Sequence, residues 1–181
     1  CSIALSADPS RRAAMQAMRA IKAAGGWVSF DPNLREDLWA DPAEMDTVLA
    51  GAFALADIIK LSEDELATLT GHASLTDGIA EFTAAYQPSL LLVTCGSEGV
   101  SLWQNGTVQH FPAPSVEVVD TTGAGDAFVA GLLAALATET DALAPARLEQ
   151  AIQQAQRSGA AATTAKGAMT ALPHAADLAR F

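Results

Sequence analysis

The chain has 181 residues, half of them hydrophobic and 17% charged, a composition that excludes a disordered segment and allows one domain with a buried core. Its formal net charge of −11 argues against binding nucleic acid or an anionic membrane through a general basic field. The cysteines, Cys1 and Cys95, form no CxxC pair, and the three histidines are scattered, so we expect neither a disulfide framework nor a zinc motif but a reduced, cytosolic, globular chain.

The first residues show no initiator methionine, no secretory signal and no apolar run long enough to span a membrane. Ser2–Leu5 has the pattern of a buried strand that continues into a helix. We therefore expect that an N-terminal portion of the protein precedes this chain.

Helix and strand patterns alternate up to Thr94. Asp8-Pro9 is a typical helix start, and small apolar residues recur at helical spacing until Gly25-Gly26. The following predicted elements are a strand at Trp27–Phe30, a helix from about Asp41 to Ala56, a strand at Asp57–Lys60, helices at Ser62–Leu69 and Thr76–Tyr86, and an apolar strand at Leu90–Thr94. Such alternation predicts an α/β fold with a mostly parallel sheet and helices on both faces.

The pattern changes after Thr94. Asn105-Gly106 is a strong hairpin signal between two apolar runs. The predicted elements of this part are strands at Gly99–Trp103, Thr107–Phe111 and Val116–Val119, then helices at Ala127–Ala137 and Pro145–Thr164. We expect Trp27, Trp39 and Trp103 to pack in the core or the hairpin, His110 to be an exposed strand residue, and Cys95 to be a small buried apolar side chain.

Polar segments follow three of the predicted strands, at the sheet edge where α/β proteins bind ligands. They are Asp31–Arg35, Lys60–Glu65 and Asp120–Asp126. In the last, Gly123, Ala124 and Gly125 open a helix and leave backbone N–H groups accessible to an anion, and Asp126 adds a carboxylate. An anion site beside a carboxylate suits phosphoryl transfer to a hydroxyl. The same residues also fit a tight strand-to-helix turn without a ligand, and both interpretations stay open.

Other nucleotide and hydrolase motifs are excluded by inspection. The third glycine of a GxGxxG fingerprint would fall at Phe128. The sequence contains no GxxxxGK[ST] loop, no HRD or DFG kinase signature and no GxSxG elbow.

Five segments resemble the PfkB (ribokinase-like) carbohydrate kinase family. Asp120–Phe128 closely matches its second signature, and Phe30–Arg35 with Leu38-Trp39 is similar to the DPNxR…LW segment of the bacterial fructokinase branch. The remaining segments are Lys60–Glu65 (the NxxE region, with Ser62 where Asn is usual), Val93–Gly99 (VTxGxxG) and Lys166–Ala168 (the closing loop). The resemblance implies a three-layer, Rossmann-like ribokinase fold. Residues 1–181 would form its C-terminal portion, with the nucleotide half and the base but without the N-terminal part and lid.

The resemblance also implies residue roles. Asp126 would be the general base for the sugar hydroxyl, with Gly123, Ala124 and Gly125 as the anion hole. Arg35 would face the phosphates, and Asn33 the substrate. The nucleotide would contact Lys60, Ser62, Glu65, Thr94, Gly96, Gly99, Lys166 and Gly167. Glu65 would place Mg²⁺ through water, and Asp120 with Thr122 would hold a monovalent cation, usually K⁺.

The implied reaction is ATP-dependent phosphorylation of D-fructose at the 6-hydroxyl, by an intact enzyme that would be a homodimer with small-molecule substrates only. The fragment alone would be poorly active. Alternatives in the family are 2-keto-3-deoxygluconate kinase and aminoimidazole riboside kinase. Outside enzymes, a non-catalytic nucleotide-binding protein on the same fold and a purely structural α/β module also remain.

Overall fold

The computed structural model describes residues 2–137 and 143–181. They form two compact units, residues 2–95 with 101–109 and residues 96–100 with 110–137 and 143–181. The helices are α1 (Ser10–Ala23), α2 (Pro42–Phe53), α3 (Glu63–Thr70), α4 (Leu75–Tyr86), α5 (Ala124–Leu136) and α6 (Pro145–Ala162). The strands are β1 (Ser29–Phe30), β2 (Ile58–Ser62), β3 (Leu90–Thr94), β4 (Val100–Gln104) and β5 (Thr107–Phe111). Short 3₁₀ turns lie at Ser2–Leu5, Glu36–Leu38, Gly96–Glu98 and Ala175–Arg180.

The strands form a mixed five-stranded sheet in the order β1-β2-β3-β4-β5. β1, β2 and β3 are parallel, and Ser62 at the end of β2 pairs with Thr94 at the end of β3. The carboxyl ends of these strands therefore share one edge. β4 and β5 form the expected hairpin, whose turn residues Asn105 and Gly106 both have positive φ, 48° and 80°, as a tight turn between twisted strands requires.

The core of the first unit lies around the parallel strands. Successive residues of β3 from Leu90 to Val93 are all fully buried, so both faces of the sheet are covered. The ring of Phe53 lies at the centre, with centroids 5.4 Å from Phe30 and 5.0 Å from Phe82. Apolar burial and edge-to-face ring contacts stabilise this unit.

The second unit is built on the packing of α5 against α6. Small residues permit it: a Cβ on Gly131 would lie 2.4 Å from Ser158 Oγ, and a Cβ on Gly159 would lie 3.1 Å from the carbonyl oxygen of Ala124. Buried Gln156 donates from Nε2 to the carbonyl of Phe111 at 2.8 Å. The start of α5, which carries the glycine-rich segment, is thereby held against α6.

Three local predictions are wrong. Ser2–Leu5 is a 3₁₀ turn, because the Ser2 N–H donates to Pro32 O and its hydroxyl to Asn33 O, both in a loop. Residues 116–119, which the structure describes, form no strand, since the Val119 N–H donates to Thr163 O at the end of α6. Trp27 is 49% exposed and lies outside β1, which begins at Ser29.

The predictions for Trp39, Trp103 and His110 hold in the structure, whereas Cys95 is less buried than expected. Trp39 is buried and Trp103 packs partly buried against the core. His110 is exposed on β5, and Cys95 is half-buried against the core, whereas Cys1 lies outside the described residues. None of the helices in the described ranges has the length and apolarity to cross a membrane.

Candidate active site

A cavity of about 710 Å³ lies in the first unit, at the carboxyl ends of β1 and β2. This is the edge where ligands of α/β sheets bind. Its lining mixes cations, carboxylates and polar groups: Asn33, Leu34, Arg35, Glu36, Asp37, Lys60, Ser62, Asp64, Glu65 and Thr68. The structure therefore brings together the predicted site residues of the first two polar segments.

Lys60 is the most buried charged group of this cavity, with 8% of its surface exposed. Its Nζ lies 3.5 Å from Asp31 Oδ1. Burial raises the pKa of Asp31, the positive charge of Lys60 opposes that shift, and the carboxylate of Glu65 adds to it. Sequence reasoning assigned Asp31 no role. Its position follows from strand register, because Phe30 pairs with Ile59, Asp31 follows Phe30 at the end of β1, and Lys60 follows Ile59 within β2.

Glu65 connects the loop after β1 to the start of α3. Its Oε1 accepts from the Leu34 N–H at 2.7 Å, and its Oε2 accepts from the Ser62 N–H at 2.7 Å. The Ser62 hydroxyl accepts from the Glu65 N–H at 3.1 Å, so the two residues form a capping box. Ser62 thus caps the helix, and both Glu65 oxygens bind the backbone.

The remaining predicted residues of the first unit lie on loops and strand ends. Asn33 has a φ of 46°, a conformation Asn tolerates better than most residues. Exposed Arg35 donates from Nη1 to Leu34 O at 2.9 Å. Thr94 donates from its hydroxyl to Leu61 O at 3.3 Å, across the β2–β3 pair.

Two glycines of the VTxGxxG segment lie in the second unit and have positive φ. The φ of Gly96 is 55° and that of Gly99 is 109°. A Cβ on Gly99 would lie 2.1 Å from the carbonyl oxygen of Phe111. Glycine at position 99 is therefore required by local packing, whether or not a nucleotide contacts it.

The start of α5 carries the glycine-rich segment Gly123–Gly125. Gly123 is its N-cap with a φ of 83°, and no side chain of the described residues caps it. The Ala124 N–H donates to Thr121 O at 3.2 Å, whereas helix geometry leaves the N–H groups of Gly125 and Asp126 without an acceptor in the helix. Asp126 is exposed in this first turn. Two amides without an acceptor in the helix, the helix dipole and a carboxylate are thus found together.

Asp120 connects the closing loop to this turn. Its Oδ1 accepts from the Thr122 hydroxyl at 2.7 Å and from the Thr122 N–H at 3.0 Å, and its Oδ2 accepts from the Gly167 N–H at 2.8 Å. These hydrogen bonds, led by that of the Thr122 hydroxyl, lower the pKa of Asp120. Lys166, the neighbour of Gly167, is exposed. The structure therefore groups Asp120, Thr122, the α5 start and the closing loop.

The side chains alone do not form a metal cage. Within residues 2–137 and 143–181, no group of three or more His, Cys, Asp or Glu side chains is arranged to hold a metal ion.

The fold and the α5 start define an α/β protein with an exposed carboxylate in the first turn of a helix that no described side chain caps. The chain matches the family described as pfkB family carbohydrate kinase over residues 2–175. The chain belongs to this family.

Curated relatives agree with that assignment. The fructokinase of Klebsiella pneumoniae is 58% identical over 180 residues, which are 99% of this chain and 59% of the relative. The aminoimidazole riboside kinase of Salmonella typhimurium is 42% identical over 180 residues, 99% of this chain and 56% of the relative. The chain thus spans less than two thirds of the length of these relatives.

Solved structures confirm the ribokinase-like α/β fold. The fructokinase of Vibrio cholerae O395, with fructose, ADP and calcium bound, superposes with a TM-score of 0.95 and is 45% identical, over 100% of this chain and 58% of that one. A double mutant of that fructokinase, with fructose, ADP and potassium bound, also has a TM-score of 0.95, at 44% identity over 100% of this chain and 58% of that one.

Proposed function

We propose that the protein containing this chain transfers the γ-phosphoryl group of ATP to the 6-hydroxyl of D-fructose. The observation that carries the proposal is the start of α5. No side chain of the described residues caps this helix, and Asp126 in its first turn is exposed. Membership of a carbohydrate kinase family supports phosphoryl transfer to a sugar. The 58% identity to a fructokinase, against 42% to an aminoimidazole riboside kinase, favours fructose.

In the proposed reaction the 6-hydroxyl oxygen of fructose attacks the γ-phosphorus, and the bond from this phosphorus to the oxygen of ADP breaks. Asp126 takes the hydroxyl proton, because a carboxylate at this position is exposed and carries no cap contact. The outward N–H groups at Gly125 and Asp126 donate to the phosphoryl oxygens, where negative charge is concentrated. Gly123 and Ala124 keep the approach free of bulky side chains.

The cavity of the first unit is proposed to take phosphates of the nucleotide. Arg35 and Lys60 supply positive charge there, and Asn33 supplies a polar group beside them. Thr94, Gly96 and Gly99 are proposed to line the nucleotide, and Lys166 with Gly167 to close over it. Asp120 and Thr122 remain proposed ligands of a monovalent cation, and the lowered pKa of Asp120 keeps its carboxylate charged.

Mg²⁺, when bound with ATP, neutralises charge on the phosphates. The residues fit a water-mediated metal better than a direct one. Each oxygen of Glu65 accepts one backbone N–H, so each retains one lone pair for a metal-bound water. Asp64 and Glu65 both line the cavity. Their charge holds the hydrated cation near phosphates bound by Arg35.

The experiment is a substrate panel with the full-length protein, measured as ATP-dependent ADP release. Fructose, 2-keto-3-deoxygluconate, aminoimidazole riboside and ribose are offered at equal concentration, with and without Mg²⁺. We expect the highest kcat/KM with fructose and no turnover without a divalent metal. A preference for another sugar would overturn the substrate. Absence of turnover with all sugars, from a folded protein that binds ATP, would favour a non-catalytic nucleotide-binding protein.

A further inference from the structure

Lys60 is a buried lysine with an unusual electrostatic environment. It is 8% exposed, lines the cavity, and lies 3.5 Å from the Oδ1 of Asp31. That oxygen is itself buried, and no described residue makes a hydrogen bond to it. The pair therefore has charge attraction without the short hydrogen bonds that usually offset the desolvation of two buried ions.

Asp31 is unsuited to contact a ligand directly with Oδ1, because this atom is inaccessible. Lys60 differs, since its side chain lines the cavity and its ammonium group has three N–H donors. A lysine ammonium on a flexible stem needs a fixed counter-charge to stay in one position. Asp31 and Lys60 follow paired residues on adjacent parallel strands, so this counter-charge is placed by the rigid sheet.

The lining identifies the class of ligand. Lys60 and Arg35 attract an anion. The acidic residues of the lining attract a cation: Glu36, Asp37, Asp64 and Glu65. A ligand that carries both, such as a nucleotide phosphate with a hydrated divalent metal, satisfies this mixed lining. A neutral sugar would offer no opposite charge to either set.

We propose that Asp31 is a positioning residue that holds the Lys60 ammonium at the cavity wall, where Lys60 binds a phosphate of the metal–nucleotide. The proposal rests on the proposed function for the identity of the nucleotide. It assigns Asp31 an effect on nucleotide binding that passes through Lys60. The two residues should therefore not act independently.

The test is a double-mutant cycle on the full-length protein, with the dissociation constant of ATP measured calorimetrically in Mg²⁺. We expect Lys60→Met to weaken ATP binding tenfold or more, and Asp31→Asn to weaken it at least threefold. The Asp31→Asn/Lys60→Met double variant should bind as Lys60→Met does, because Asp31 is not among the residues that line the cavity. Lys60→Arg, which keeps the charge but changes the shape of the head group, should weaken ATP binding less than Lys60→Met does.

A second lysine–aspartate pair on the same unit provides the matched control. Lys22 of α1 bonds to Asp57, which precedes β2, and neither residue lines the cavity. Lys22→Met should leave ATP binding unchanged. A purely structural role for Asp31 predicts instead that Asp31→Asn lowers the melting temperature as Lys22→Met does, with ATP affinity intact.

Two results would contradict the proposed role of Asp31. Unchanged ATP affinity in Lys60→Met, or independent additive losses in the cycle, would overturn the proposal. If Lys60→Met fails to fold, Asp31→Asn and Lys60→Arg carry the test, and unchanged affinity in Asp31→Asn would overturn it. Because ATP binding is measured without turnover, an inactive wild type that binds ATP would refute the proposed function and leave this test intact.

Discussion

Replacing Glu65 by glutamine tests whether this carboxylate connects the loop after β1 to α3. Both carboxylate oxygens accept backbone N–H groups at 2.7 Å, one from Leu34 and one from Ser62. Glutamine has nearly the same size but only one acceptor oxygen. In Glu65→Gln the amide NH₂ must therefore face one of the two N–H groups.

The expected loss follows from these two bonds. A hydrogen bond to a charged acceptor contributes about 1.5–3 kcal/mol, and a neutral one about 0.5–1.5 kcal/mol. Glu65→Gln removes one charged bond and converts the other to a neutral one. Because Glu65 is half-buried, water replaces part of the loss, and we expect the free energy of unfolding to fall by about 2 kcal/mol.

The assay is urea unfolding of the full-length protein without nucleotide or metal, so that a role in placing Mg²⁺ does not enter. The loop itself is followed by trypsin cleavage after exposed Arg35, which should be faster in Glu65→Gln. Glu63→Gln, an exposed acid in the same helical turn, is the control and should change stability by less than about 0.5 kcal/mol. A Glu65→Gln variant as stable as this control would refute the reasoning.

Three further predictions concern stability. Gly123→Ala should lose at least about 2 kcal/mol of unfolding free energy, because Gly123 has a φ of 83° and a Cβ there would lie 2.9 Å from Ala168 O; a thermal melt matching wild type would contradict this. Because the pKa of Asp120 is lowered in the fold, its ionised carboxylate stabilises the fold above pH 3.8, the ordinary value. This stabilisation is lost as pH falls through the folded pKa. Asp120→Asn should therefore have a lower urea midpoint at pH 7 and approach the wild type as pH falls below 3.8, and a constant difference would count against it. The pKa of Asp31 is raised in the fold, so folding disfavours its ionised form. The protonated carboxyl therefore contributes stability below pH 3.8, and this contribution is lost as pH rises through the folded pKa. Asp31→Asn should then melt no lower than the wild type at pH 7, and the melting temperature of the wild type should rise relative to that of the variant as pH falls towards 4. A lower melting temperature of the variant at pH 7 would show that the ion pair is stabilising.

Most elements could be predicted from the sequence because their signals are local. Periodicity and apolar runs gave β3 its bounds, Leu90–Thr94, and Asn105-Gly106 gave the hairpin. Ser2–Leu5 and Val116–Val119 were wrong because a short apolar run is compatible with several backbone conformations. Hydrogen bonds to distant carbonyls, such as that from Val119 to Thr163, decide the conformation there.

The candidate site also combines features that local sequence signals predict with contacts that they do not predict. Sequence motifs indicated which segments carry polar groups, and the structure places those of the first unit around one cavity. The partners of the side chains could not be predicted, because they depend on strand register. Asp31 faces Lys60 only because β1 pairs with β2 as Phe30 with Ile59. Likewise, Glu65 reaches the Leu34 N–H across 31 residues of chain.

The Glu65 contacts also change the interpretation of a motif residue. The resemblance assigns this position to Mg²⁺, whereas the structure shows its carboxylate bonded to the amides of Leu34 and Ser62. The two roles are compatible if the metal is reached through water. They separate experimentally, since a bond to the backbone affects the protein without nucleotide and a metal role affects only the loaded protein.

The most direct test of the central claim is the comparison of Asp126→Asn with Asp77→Asn in the full-length protein. Both aspartates lie in the first turn of a helix, α5 and α4 respectively, so the pair controls for the interaction of the acid with the helix dipole. If Asp126 removes the sugar proton, Asp126→Asn should lower kcat with fructose about 100-fold or more while the dissociation constant of ATP stays within about twofold. Asp77→Asn should keep wild-type kcat. An Asp126→Asn variant with wild-type kcat would contradict the account.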